Sequence, residues 1–498
     1  MLKDLKGLLK HSSVYSLGTL LSRIVSFIML PVYTRCLTPS DYGIIEMLTL
    51  TTSVVTLLVS FRLTSALPRF YFGYPDQKKK DSLVSTMMIF SLIISCLVAA
   101  GLFEGRFAVS RLVFKTDDKG VYFGYVFASI IFEICTQIGF TYLRVRQRSF
   151  LFVGASLLQL ILGLGLNILF LVYLKMGVMG ILYSIILSNG IVFLAVQVYA
   201  FADVGFAFDR AQLKQLLVFS LPLVPAALGN FVLNMGDRFL LARYVTTADI
   251  GTYSLGYKFG ILLGVFVGTP FLQAWEPKRA ELYEKDPGAR AIFEKVFLYI
   301  LFAMVGGALI LCAFINEIVA LLATPEYVRA CLVTPFVAVG YIFYILYYTV
   351  DLGLFLKKKT FWYSIISAIA AAVNVGVNLI LIPRIGMLGA AIATTISFMV
   401  LPVLAYFVSQ RYYPVRYEFG KAARILGAGA VLFFASRYVH TGHMPFDIVL
   451  KSLLLALFPI SLTLTGVFEK AELDMARGIL RNGISRATGL VRARRDLT

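Results

Sequence analysis

Stretches of at least about 19 mainly apolar residues, each long enough to cross a bilayer, recur about fourteen times along this chain. Nothing else in the sequence limits the fold so tightly. Backbone amides in lipid must be satisfied within one segment or around a closed barrel. A transmembrane strand needs only about 9–11 residues, so runs of this length are helices. Their limits fall at 12–34, 42–64, 82–103, 120–142, 150–174, 178–202, 215–241, 251–274, 292–322, 329–354, 361–382, 387–409, 421–439 and 446–467. The fold class is therefore all-α, a polytopic membrane protein. Composition agrees: 59% of the 498 residues are hydrophobic and the mean hydropathy is +0.83, beyond the needs of a soluble core.

The net charge of +19 raises the question of nucleic acid. Its distribution excludes that partner, because the cations sit in short loops between apolar runs. The clusters are Lys78, Lys79 and Lys80; Arg144, Arg146 and Arg148; Lys278, Arg279 and Lys285; and Lys357, Lys358 and Lys359. They fall on every second connection, which places both termini in the cytoplasm of a multi-pass protein of the cell inner membrane. The loop 104–119 is the exception, with Arg106, Arg111, Lys115 and Lys119 on the far side. The segment 468–498 interleaves Leu473, Ile479, Leu480 and Ile484 with Arg477, Arg481 and Arg486. That pattern suits a basic amphipathic helix resting on anionic lipid of the inner leaflet. The five cysteines are scattered and the histidine pair His440 and His443 has no third ligand, so neither disulfide, metal nor cofactor is expected. The first apolar run is too long for a signal peptide and lacks an A-x-A site, so it reads as the first span.

The chain also repeats. A shift of 208 lays Leu5-Lys6-Gly7-Leu8-Leu9 on Leu213-Lys214-Gln215-Leu216-Leu217, Arg35 on Arg243, Asp41 on Asp249 and Gly43 on Gly251. A shift of 211 lays Arg146-Gln147-Arg148-Ser149-Phe150 on Lys357-Lys358-Lys359-Thr360-Phe361, and Asn167 on Asn378. Gly177 to Gly180 and Gly386 to Gly389 then correspond across a two-residue gap. The expected organisation is two six-helix lobes, 1–210 and 211–410, two appended helices over 411–467, and the tail 468–498. An even number of spans per repeat gives both lobes the same orientation, related by an axis along the membrane normal.

Charges inside spans are costly and mark candidate functional residues. Arg23 lies near the middle of the first run, on a polar stripe with Ser12, Ser16, Thr19 and Ser26. The second run carries a similar stripe of Glu46, Thr49, Ser53, Thr56 and Ser60. Lys258 is about two turns inside its helix, far for a snorkelling stem. Arg62 and Arg238 complete the candidate cavity cations; Arg62 stands about 160° round from Glu46 on a continuous helix. Glu46, Glu133, Asp237 and Asp351 are the candidate acids that balance those charges or take up a coupling ion. For the small Ser and Thr residues, helix–helix glue explains the stripes as well as cargo does. Asp237 and Arg238 are sequence neighbours, so a local ion pair explains them equally well. Fixed cations in a watery cavity suit an anionic cargo group, because arginine grips phosphate oxygens in a fork and lysine acts as a point charge.

Three stretches carry a family resemblance: Leu37-Thr38-Pro39-Ser40-Asp41-Tyr42-Gly43, Thr64-Ser65-Ala66-Leu67-Pro68-Arg69-Phe70-Tyr71, and Leu379-Ile380-Leu381-Ile382-Pro383 continuing through Gly386-Met387-Leu388-Gly389-Ala390-Ala391. In these, over about residues 5–467, the chain resembles the polysaccharide (O-antigen, Wzx-type) flippases of the multidrug/oligosaccharidyl-lipid/polysaccharide exporter superfamily. The resemblance implies a V of two lobes around a central cavity. It implies export of a polyprenyl-pyrophosphate-linked oligosaccharide by alternating access, coupled to a proton or sodium gradient. It also implies a monomeric transporter with a polysaccharide polymerase as partner, and no enzymatic activity. Two transport alternatives remain: a flippase of lipid-linked peptidoglycan precursor, and a drug or cation exporter of the same superfamily. A membrane-embedded transferase is disfavoured by short loops and the absence of an intramembrane histidine.

Overall fold

A computed structural model describes residues 28–286, 288–439 and 441–468, and every described element is helical. The chain runs through α1 (Leu30–Cys36), α2 (Pro39–Val59), α3 (Leu63–Tyr71), α4 (Gln77–Glu104), α5 (Arg106–Phe114), α6 (Gly120–Val145), α7 (Ser149–Ile168) and α8 (Gly177–Val204). It continues through α9 (Arg210–Ser220), α10 (Leu223–Met235), α11 (Asp237–Tyr244), α12 (Thr247–Leu263), α13 (Thr269–Lys285), α14 (Ala289–Ala313) and α15 (Ile315–Leu322). The last are α16 (Ala330–Val350), α17 (Leu352–Leu356), α18 (Phe361–Ile385), α19 (Met387–Gln410), α20 (Phe419–Arg437) and α21 (Met444–Leu464).

Among the described residues, 12 helices are long and apolar enough to cross a membrane; the pair α9–α10, bent by 43°, makes 13 if it is one span. These match the second to fourteenth runs of the sequence. Most of the first run, with Arg23, and the tail from residue 469 lie outside the described residues, so the count of fourteen is not reached on them. The helix α7 and the turn after it are only 6% buried in their apolar window, as a helix facing acyl chains would be.

Two spans expected to be continuous are broken. The run 42–64 ends as a helix at Val59 and restarts at Leu63, across Phe61 and Arg62 at φ 45° and 56°. Left-handed backbone at two bulky residues is costly, so the surrounding packing must hold it. Its repeat counterpart, α12, does not break there but passes through a π-helical turn, Gly264–Gly268, into α13. The run 292–322 also divides, at Phe314 between α14 and α15.

The repeat recurs as backbone geometry. Both α2 and α12 begin with a Thr and an Asp three residues on: the Asp41 amide donates to Thr38 Oγ1 at 3.2 Å, and the Asp249 amide to Thr246 Oγ1 at 3.2 Å. Such reciprocal caps satisfy amides that a helix start leaves free. The ends of α6 and α17 share a second signature. Gln147 and Lys358 take φ 56° and 55°. The following amides reach back to Leu143 O and Leu354 O, both at 2.8 Å. This is the Schellman termination, built without the usual glycine.

The described chain groups into two compact units. One takes residues up to Gly260 with Ile318–Gly340 and Thr360–Leu401; the other takes Ile261–Glu317, Tyr341–Lys359 and residues from Pro402.

Candidate functional site

In the first unit the capped starts of α2 and α12 meet, and glycine is what lets them. A Cβ on Gly43 would stand 1.9 Å from the Thr247 carbonyl oxygen, and one on Gly251 2.0 Å from the Pro39 carbonyl oxygen. Pro39 and Thr247, like Gly43 and Gly251, are repeat equivalents, so the contact is nearly symmetric. Small residues permit this backbone approach between membrane helices. The hydroxyls of Ser40 and Thr247 add a hydrogen bond at 2.6 Å.

About two turns into α2, and three into α12, two expected charges come together. Lys258 Nζ lies 3.1 Å from Glu46 Oε2 and donates to the Tyr42 hydroxyl at 2.9 Å. Its ammonium also sits 4.8 Å from the Tyr42 ring centre, an additional cation–π attraction. The pair lies on the wall of a cavity of about 430 Å³, with Tyr33, Thr49, Gln159 and Asn167 among the other lining residues. That volume is in the range of small-molecule sites. The Lys258 side chain is 47% exposed and Glu46 13%, so the ammonium still faces open space.

A second cavity of about 120 Å³ continues along the same face of α2 and shares Ile45, Thr49 and Ile185 with the first. Thr52 and Ser53 from α2, and Tyr125, Ser129 and Glu133 from α6, line it. The α6 residues recur every fourth position, which keeps them on one helix face. Gln137 Nε2, the next in that row, donates to Glu133 Oε1 at 3.3 Å.

The other expected residues lie elsewhere. Arg238 Nη1 is 2.7 Å from Asp237 Oδ1, and both side chains are 2% exposed. Asp237 also accepts from the Tyr253 hydroxyl and from Thr394 Oγ1, the latter at 3.3 Å. Arg238 donates to Asn234 O at 3.0 Å and packs 4.0 Å from the Tyr257 ring centre. In this conformation the charge of Arg238 is matched inside the protein, and it lines neither of these two cavities. Arg62 lies at the α2–α3 break, where the continuous-helix angle used to place it no longer holds; it is exposed and also lines neither cavity.

In the second unit Asp351 is buried against Arg279 Nη1 at 2.7 Å. Arg279 also donates to Tyr348 O at 3.1 Å and stands 3.6 Å from the Phe355 ring centre. The sequence reading placed Arg279 among exposed loop cations; α13 instead runs on to Lys285 and turns it inward. A further pair, Lys451 with Glu317, was not singled out at all. Tyr42 and Tyr33 were missed at the main cavity. Tyr42 stood in a stretch that carries the family resemblance, and tyrosines in apolar runs look like packing.

The polysaccharide biosynthesis protein family model matches residues 32–332, more than half of the chain. The chain belongs to that family. A curated relative, protein 1 of the Lsg locus of Haemophilus influenzae, is 22% identical over 263 residues; the match spans 52% of this chain and 62% of the relative's length. Among solved structures, the lipid II flippase MurJ in an inward closed conformation superposes with a TM-score of 0.73 at 14% identity, over 89% of this chain and 97% of its own. An inward-facing multidrug resistance MATE transporter of the MOP superfamily gives 0.63 at 16%, over 78% and 94%. A Vibrio cholerae MATE transporter in a bent form gives 0.53 at 16%, over 82% and 96%. At these identities the likeness establishes the fold, which is that of this exporter superfamily, in a multi-pass membrane protein.

Proposed function

We propose that this protein is a flippase carrying a polyprenyl-pyrophosphate-linked oligosaccharide from the inner to the outer leaflet of the cytoplasmic membrane. The observation that supports this most is Lys258: a partly exposed ammonium on a cavity wall, held by a carboxylate and a phenol. Pyrophosphate crossing lipid loses hydration at great cost, and a fixed cation in a wet cavity offsets part of it. Glu46 keeps Lys258 neutralised while the cavity is empty. An entering pyrophosphate takes over the ammonium, and a proton or sodium ion drawn by the gradient then balances the released carboxylate. A few dispersed cations bind loosely enough to let cargo leave. Arg23 is the second proposed cation, and its guanidinium adds the fork that lysine lacks.

The glycine contact at the α2 and α12 starts supports alternating access. In the proposed orientation, with both termini cytoplasmic, that contact closes the outer end. The repeats 1–210 and 211–410 rock about their pseudo-axis, opening it as the inner end closes.

The test is lipid flipping in proteoliposomes, with and without proton and sodium gradients. Wild type should move pyrophosphate-linked sugar lipid, Lys258→Ala and Arg23→Ala should not, and Lys258→Arg should retain part of the rate. The MurJ superposition favours one second reading, a flippase of peptidoglycan precursor. Lipid II offered in the same vesicles separates the two.

A further inference from the structure

We propose that the small cavity beside Glu133 is a sugar subsite, holding the ring nearest the pyrophosphate and selecting among cargo headgroups. The inference rests on the flippase reading above. It starts from where the hydroxyl protons go. Thr49 donates to Ile45 O at 2.8 Å, Thr52 to Leu48 O at 2.8 Å, Ser53 to Thr49 O at 2.9 Å and Ser129 to Val126 O at 2.7 Å. Each hydroxyl has spent its single proton on its own helix, and only lone pairs remain to face the cavity. The four Ser and Thr hydroxyls of the wall are therefore acceptors toward the cavity, and the Tyr125 phenol, which accepts from Tyr183 at 3.4 Å, is the remaining hydroxyl donor of the lining.

Glu133 completes that wall. Among the described residues no lysine or arginine pairs with it, and its one hydrogen-bond partner is Gln137. A carboxylate beside four acceptor hydroxyls needs a ligand that brings donors. A sugar ring does so with its hydroxyl edge. Its C–H face needs an apolar surface, which Tyr125, Leu182 and Ile185 supply. Tyr125 is held edge-on against Tyr183 with ring centres 5.3 Å apart, so the surface is fixed before cargo arrives. A cavity of about 120 Å³ has room for several water molecules, too large for a bare ion.

Register supports the assignment. Glu46, which marks the Lys258 end, and Ser53 are seven residues apart on α2, or about 10 Å at 1.5 Å per residue. The two cavities are continuous through Ile45, Thr49 and Ile185. A headgroup with its phosphates at Lys258 would lay its first ring beside Glu133.

The experiment compares two probes in proteoliposomes: undecaprenyl pyrophosphate, and the same lipid bearing one N-acetylhexosamine or hexose, across a panel of sugars. Glu133→Gln should weaken apparent affinity for the preferred sugar lipid by about 10- to 100-fold, as expected for losing a charged hydrogen-bond acceptor. The bare lipid should change by less than about twofold. Tyr125→Leu should show the same selectivity, which covers the case where Glu133→Gln misfolds. Removing the contacted hydroxyl from the sugar should mimic Glu133→Gln and not add to it. Lys258→Ala should impair both probes. Equal losses for both probes in Glu133→Gln would overturn the sugar subsite and assign Glu133 to ion coupling. Failure of wild type to move either probe would instead overturn the flippase reading on which the subsite rests.

Discussion

The Lys258–Glu46 and Arg238–Asp237 pairs share one compact unit, yet they do opposite things with a charge. At Arg238 and Asp237 the charges are matched out of water: both side chains are 2% exposed, and hydroxyl, carbonyl and ring partners surround them, with only Arg238 Nε lacking a hydrogen-bond partner among the described residues. At Lys258 the side chain is 47% exposed and faces a cavity of about 430 Å³. Removing one partner of a dry pair leaves a charge with no refuge. Removing one partner of a wet pair leaves a charge that water can reach. Charge alone does not identify a transport residue; a face left open beside the charge does.

The largest expected effect lies on the dry side. Asp237→Ala should cost about 3–5 kcal/mol, and Asp351→Ala, which strands Arg279 in the same way, a similar amount. Membrane abundance and thermal unfolding in detergent read both directly. Near-normal abundance and melting in both variants would erase the distinction between dry and wet pairs.

Next comes Lys258→Ala, expected to lower transport on the order of 100-fold or more while abundance stays near wild type. A loss of abundance matching that of Asp237→Ala would make the pair structural and break the comparison from the other side. Smaller is the effect of Gly43→Ala. Its added carbon meets backbone oxygen, not a side chain that could swing away, so overpacking should cost about 1–3 kcal/mol. A disulfide in Ser40→Cys/Thr247→Cys should stop transport, and reduction should restore it. Continued flipping through a fully cross-linked protein would rule out opening at that end. The smallest effect is that of Lys258→Arg, which keeps the charge and changes its shape; a loss within about tenfold is expected.

The helical class, twelve or thirteen of the spans and the repeated cap residues were legible in the sequence, because apolar length and capping are local signals. Lys258 and Glu46 were also legible one at a time, the first from its depth within an apolar run and the second from its polar stripe. Their partnership was not, since it joins positions 212 residues apart. Arg279 was misread because a helix that outruns its apolar stretch looks like a loop by composition. The break at Phe61 and Arg62 left no trace either: no glycine marks it and only packing can impose it. The small cavity was half visible. The Glu46, Thr49 and Ser53 stripe is readable along α2, but which helix faces it is not.

Exchange of Lys258 from Glu46 to a pyrophosphate is the central claim, and removing both partners together tests it most directly. Lys258→Met with Glu46→Leu replaces the pair by apolar side chains of similar size, a change that often leaves stability unaltered or raised. The purified double variant should melt at or above the wild-type temperature and yet fail to flip undecaprenyl-pyrophosphate-linked sugar in proteoliposomes. A well-folded double variant that flips this lipid at the wild-type rate would contradict the claim.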